Sequence, residues 1–335
     1  MITHEIKIGR PPVINYEAIL YDLYRYQTLT IEQLKKVHFK GHEGSVYVSL
    51  HRMKKRGLVS STCRVNEKGK KIAACYFITE KGIGHLEEVG LLHEKRRAYD
   101  NKPSGKKIPY LIDINNMYVD LQESGYEMLN ARDWKEQHHL NRNALVKAGL
   151  RTPDGKEYGV YLFETDLEES ITLPRFKKEI KEASQSNRFI IFFKGKDSYK
   201  KFKNSLGHEE LTKGEMCLLP YNLGKKLLGE LPKQDHLVKV FTNYGEVKIN
   251  DRSNTVTSSF ADYILEKDGQ EFYVCNYVFG NEVALYFLTK YTKDRFARDG
   301  RRVYVFYSEK ILSIMEQDFK EMFKDHYPHI EFIGL

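Results

Sequence analysis

Two groups of side chains have types and spacing that could do chemistry. Asp154 and Glu164, with Asp166 two positions further on, offer the hard carboxylate oxygens that Mg²⁺ prefers. Lys177 and Lys178 follow and offer a cation to steady a metal-activated hydroxide. The other group is Ser45, Val48, His51, Arg52 and Lys55, at the spacing of one helix face. Such a face can enter a major groove, where Arg and Ser reach base edges. Lys68, Lys70 and Lys71 come soon after, at a hairpin tip, where they suit phosphate oxygens.

Particular elements must position these groups. NYEAILYDLYRYQ carries Ile19, Leu20, Leu23 and Tyr24 at helical spacing. A second helix starts at Thr30, with Gln33 three residues on, the pattern of a capping box. SVYVSLHRMKKRG is a third, with Val46, Leu50 and Met53 inward and Gly57 placed to end it. LVSSTCRV and IAACYFIT alternate as two strands around the turn NEKGKK, and a closing helix follows from Thr79. This order is that of a winged helix-turn-helix.

Residues 93–109 are polar, basic and rich in breakers, and read as a linker or basic arm. Further on, Pro153-Asp154-Gly155 reads as a turn, Tyr158–Glu164 as a strand, Arg175–Ser184 as a helix after Pro174, and Phe189–Phe193 as a covered strand. The spacing of Asp154 and Glu164 resembles the PD-(D/E)xK nuclease core, in which two carboxylates bind Mg²⁺ and a lysine assists. This chain departs from that pattern, with Asp166 where the lysine is expected. The N-terminal module followed by PDG…LFETD is similar to the replication-relaxation family of plasmids and other mobile elements, over residues 16–205 at most. That resemblance implies a DNA-binding protein acting on a mobile element.

Residues 260–310 read like a second copy of the middle segment. Matching Asp262 to Asp154, Tyr273 to Tyr161 and Val303 to Phe189 gives offsets of 108, 112 and 114. On that matching Asn276 replaces Glu164 and Val278 replaces Asp166, so the second copy lacks an anionic cage for Mg²⁺. The expected fold is therefore α/β (α+β overall): a winged helix-turn-helix over 1–100, then two restriction-endonuclease-like α/β domains over 108–230 and 236–335, related by internal duplication. A final helix over 308–326 carries an apolar stripe from Ile311 to Phe323. Lys290, Lys293, Arg295, Arg298, Arg301 and Arg302 form a further basic run, equally readable as phosphate contacts or a solvated face.

Charge and composition narrow the function. The chain has 335 residues and a net charge of +8. Residues 1–107 hold 21 Lys and Arg against 11 Asp and Glu, an excess of +10, so the basic character is entirely N-terminal. A polyanion partner for that module follows. No run reaches the roughly 18 apolar residues of a membrane span. MITHEIKIGRPPV lacks a signal-peptide core, and the expected place is the cytoplasm. The four cysteines lack paired metal spacing and read as reduced thiols, with Cys63 and Cys75 able to face each other on neighbouring strands. His138-His139 reads as an exposed pair on a charged helix rather than a metal site. Three readings stand. The first is a sequence-specific binder of double-stranded DNA, a homodimer needing no cofactor, which regulates transcription or works with replication or relaxation machinery. The second is a Mg²⁺-dependent endonuclease or nickase using Asp154 and Glu164. The third is an adaptor whose winged helix docks a protein.

Overall fold

The structure, a computed structural model, describes residues 15–65, 71–92, 102–182, 187–212, 214–230, 234–251, 259–315, 323 and 327–335. The chain divides into two compact units, Met1–Val119 and Asp120–Leu335.

The first unit runs α1 (Tyr16–Tyr26), β1 (Leu29–Thr30), α2 (Ile31–His38), α3 (Val46–Lys55), β2 (Val59–Val65), β3 (Lys71–Ile78), α4 (Glu80–Glu88) and into α5 (Ile108–Leu121). Its three strands form an antiparallel sheet in the order β1-β3-β2. Cys75 of β3 is buried in a cluster with Ile108 and Ile112 of α5, and Ile19, Leu20 and Leu23 from α1, Leu34 from α2, and Val46, Leu50 and Met53 from α3 are buried as well. Each such side chain contributes roughly 1.5–3 kcal/mol by leaving water.

Local signals set the helix ends. The Thr30 hydroxyl accepts from the Gln33 amide at 3.2 Å, and the Gln33 side chain accepts from the Thr30 amide at 2.8 Å. The same Gln33 donates to the Ile112 carbonyl at 2.9 Å, which ties α2 to α5. At the end of α3, Gly57 takes φ +73, with Gly57 N–H bonded to Lys54 O and Leu58 N–H to Met53 O. That paired bonding is a Schellman stop, and the left-handed residue in it favours glycine. Thr62 faces Cys75 across the hairpin and Cys63 faces Ala74, so the two thiols lie on opposite sides of the sheet rather than facing each other.

The second unit holds two five-stranded sheets. The first contains β4 (Glu127–Asn130), β5 (Ala148–Arg151), β6 (Glu157–Phe163), β7 (Arg188–Phe193) and β8 (Glu215–Pro220), hydrogen-bonded in that order. The pairs β4/β5 and β5/β6 are antiparallel, while β6/β7 and β7/β8 are parallel. Helix α6 (Ala131–Gln137) leads into β5. The parallel crossovers are α7 (Glu169–Glu182) and α8 (Lys196–Ser205), with α9 (Tyr221–Glu230) after β8. Phe189 to Phe193 are all buried, as their continuous apolar run predicts. Helix α7 starts before the expected Arg175, so Pro174 lies inside it rather than in its first turn. Having no N–H, Pro174 omits the bond to the Ser170 carbonyl.

After α10 (Gln234–Thr242), the second sheet has β9 (Glu246–Ile249), β10 (Tyr263–Lys267), β11 (Gln270–Tyr277), β12 (Arg302–Tyr307) and β13 (Ile330–Gly334). Its pairs in chain order are again antiparallel, antiparallel, parallel and parallel. Gly159 pairs with Phe189, and Tyr273 pairs with Val303, so the two strand pairs stand 114 positions apart. The hairpin turns keep that separation, Asp154-Gly155 in one and Asp268-Gly269 in the other. By strand register Asp268, not Asp262, answers Asp154, and Gly159, not Tyr161, answers Tyr273. Val278 stands in the place of Glu164 and Gly280 in that of Asp166. Two short helices, α11 (Glu282–Leu288) and α12 (Lys293–Asp299), stand between β11 and β12. Helix α13 (Glu309–Met315) begins the expected final helix; of its apolar stripe, Phe319 and Met322 lie outside the described residues.

Candidate nucleic-acid interface

Helix α3 buries Val46, Ser49, Leu50 and Met53, at i, i+3, i+4 and i+7. It packs on α2 and β2. The opposite side is therefore turned outward by geometry alone, and Val48, His51, Arg52 and Lys55 are exposed on it. Ser45 caps the helix but makes no side-chain cap bond. Its hydroxyl donates to the His42 carbonyl at 2.7 Å and keeps its lone pairs for an outside donor.

Three residues extend this face beyond those the sequence singled out. Tyr47 is 56% exposed, with the Lys35 ammonium 5.6 Å from its ring centroid. Lys54 donates to Ser61 Oγ at 2.9 Å, which carries the cationic surface from α3 onto β2. Arg56 is exposed just past the helix end. Their signal was in the sequence, since no Asp or Glu stands between Glu43 and Glu67. Lys68 and Lys70 lie outside the described residues, and Lys71 begins β3.

The carboxylate group behaves differently. Asp154 sits in the β5–β6 turn, where its carboxylate accepts from the Thr152 hydroxyl and lies 3.8 Å from the Lys156 ammonium. Glu164 follows the far end of β6 and pairs with Lys194 of the neighbouring strand exit at 3.0 Å. Seven strand residues separate them. At about 3.3 Å per residue, that is roughly 20 Å. One ion cannot bridge that distance, so the expected shared Mg²⁺ site at Asp154, Glu164 and Asp166 is not assembled. The expected lysines are engaged elsewhere. Lys177 donates to the Ser205 carbonyl and lies 3.8 Å from Glu210, and Lys178 lies 3.7 Å from Glu182. Among the described residues no three His, Cys, Asp or Glu converge as a metal would need.

Residues 20–182 match the replication-relaxation family. The match takes in the whole α3 face and runs through the Asp154 and Glu164 segment to the end of α7, leaving the second five-stranded sheet outside it. A replication-relaxation match supports a role in plasmid or mobile-element replication or relaxation. No curated protein and no solved structure matches the chain. Among the described residues, no helix is long and apolar enough to cross a membrane.

Beside Asp154, in the part of the chain that the replication-relaxation match covers only partly, a cleft of about 90 Å³ opens over Tyr158, Glu215 and Cys217. Tyr158 donates to Glu215 at 2.9 Å. Burial pushes the Glu215 carboxyl up from its ordinary value, against the pull of nearby Lys156, and burial likewise raises the Cys217 thiol. The thiol is thus held in its protonated, unreactive form. His138, expected on an exposed face, is instead tucked against Trp134, with ring centroids 3.8 Å apart. Burial lowers its pKa.

Proposed function

We propose that this chain is a sequence-specific double-stranded DNA-binding protein of a plasmid, phage or integrated element. It acts in replication or relaxation at an origin, or in transcriptional regulation. A winged helix-turn-helix formed by α1 to α4 and the three-stranded sheet does the reading, with α3 in the major groove. The observation that carries this reading is the α3 face itself, where Arg52, Lys54, Lys55 and Arg56 gather without a single carboxylate between Glu43 and Glu67. A surface of one sign attracts a polyanion and gives its binding a steep salt dependence. The family match and the N-terminal charge excess point the same way. We infer further that the protein binds as a homodimer on paired half-sites, and that the two five-stranded sheets are copies of one unit serving assembly or recruitment of replication machinery.

The test uses supercoiled plasmid carrying the protein's own locus, incubated with the purified chain in Mg²⁺ and separately in EDTA. Retarded DNA that returns to the supercoiled form after deproteinisation is the expected result. Nicked or linear product in Mg²⁺ alone would transfer the assignment to an endonuclease. Equal affinity for the locus and for random DNA would remove sequence specificity.

A further inference from the structure

We propose that Val48 reads the 5-methyl group of thymine, so that the target half-site carries a T·A pair under the N-terminal half of α3. This rests on the DNA-binding reading above and adds a base identity to it. Val48 is 50% exposed at the middle of the outward face, one turn before Arg52 and two turns before Lys55. Tyr47 beside it is 56% exposed, and these two adjacent side chains are the large apolar groups on a face otherwise built from cations, His51 and Ser45. The surrounding positive charge selects the occupant, because an apolar protein partner would have to strip water from Arg52, Lys54 and Lys55 without compensation. DNA phosphates instead pair with those cations while the groove floor meets the valine. In the major groove the thymine methyl is the one apolar feature of the base edges, and it is the partner an apolar side chain can distinguish. Residues at the N-terminal end of a recognition helix are those that reach base edges.

The experiment selects duplexes from a random double-stranded library with the full-length protein, then remakes the winner with deoxyuridine in place of thymidine. Removing a contacted methyl should weaken binding about fourfold, the equivalent of roughly 0.8 kcal/mol for one buried carbon. Val48→Ser, which has no γ-methyl, should bind both duplexes alike, while Val48→Thr, which differs from it by one γ-methyl, should retain the preference. Equal binding of the two duplexes by the unsubstituted protein, with the selected sequence still preferred over a scrambled one, overturns this inference and leaves the DNA-binding reading standing. A preference for thymidine that survives Val48→Ser places the methyl contact on another residue and also overturns it. Failure to enrich any duplex overturns both.

Discussion

Arg52 and Lys55 stand on one exposed helix face, one turn apart, yet their loss should read differently. A guanidinium that bonds a guanine edge is worth about 1–3 kcal/mol of discrimination. Arg52→Ala should therefore weaken the selected site by that amount and relax the sequence preference, as measured by fluorescence anisotropy on matched and mutated duplexes. Lys55 is a compact point charge suited to phosphate. Lys55→Ala should weaken all duplexes alike and lower the salt slope by about 1. His138 makes a prediction of another kind. Its folded pKa is depressed, chiefly by burial, so the unfolded chain takes up the proton more readily. His329, buried and bonded to the Tyr291 carbonyl at 2.7 Å, shifts in the same direction for the same leading reason. Their contribution to stability is complete above the ordinary histidine pKa and is lost as pH falls through the folded values. Melting temperature should accordingly drop between about pH 7 and pH 5, and NMR should find both imidazoles titrating below the ordinary histidine value near 6.5.

Elements were legible where a local rule specified them. The Thr30/Gln33 capping box and the Gly57 stop depend on neighbours within four residues, and both form as the sequence indicated. Thr30→Ala should cost about 1 kcal/mol in urea unfolding. Residues 126–150 carry no such local rule, because their structure depends on a distant fit. Trp134 of α6 is 1% exposed, and its ring fills the space beside Gly149 of β5 that a β-carbon would need. Gly149→Ala should destabilise by about 1–3 kcal/mol through overpacking. Trp134 is the chain's one tryptophan, so its fluorescence reports the change directly. Pro174 misled for a related reason. A proline suggests a helix start, but the tertiary setting of α7, whose Phe176 and Ile180 are buried, carries the helix through it.

On the scale of the whole molecule, what decides the carboxylates' role is the separation imposed by β6. Asp154→Ala and Glu164→Ala should each leave plasmid binding unchanged and leave the DNA uncut in Mg²⁺, as judged on deproteinised gels. Cleavage lost on either substitution would restore the nuclease reading. By itself the sequence determined helices α1 to α4 and the β2–β3 hairpin of the first unit, the outward face of α3 and the concentration of positive charge before residue 108, while the short β1 went unread. Those follow from periodicity, caps and composition, all of which act over a few residues or need only counting. Only the tertiary structure decided the 114-residue register between the sheets, the partners of Lys177, Lys178 and Glu164, the burial of His138 and the separation of Asp154 from Glu164. A carboxylate's chemistry depends on which groups converge on it in space. A spacing of ten residues places two side chains together across a tight turn but far apart along a strand, and the backbone conformation between them makes that choice.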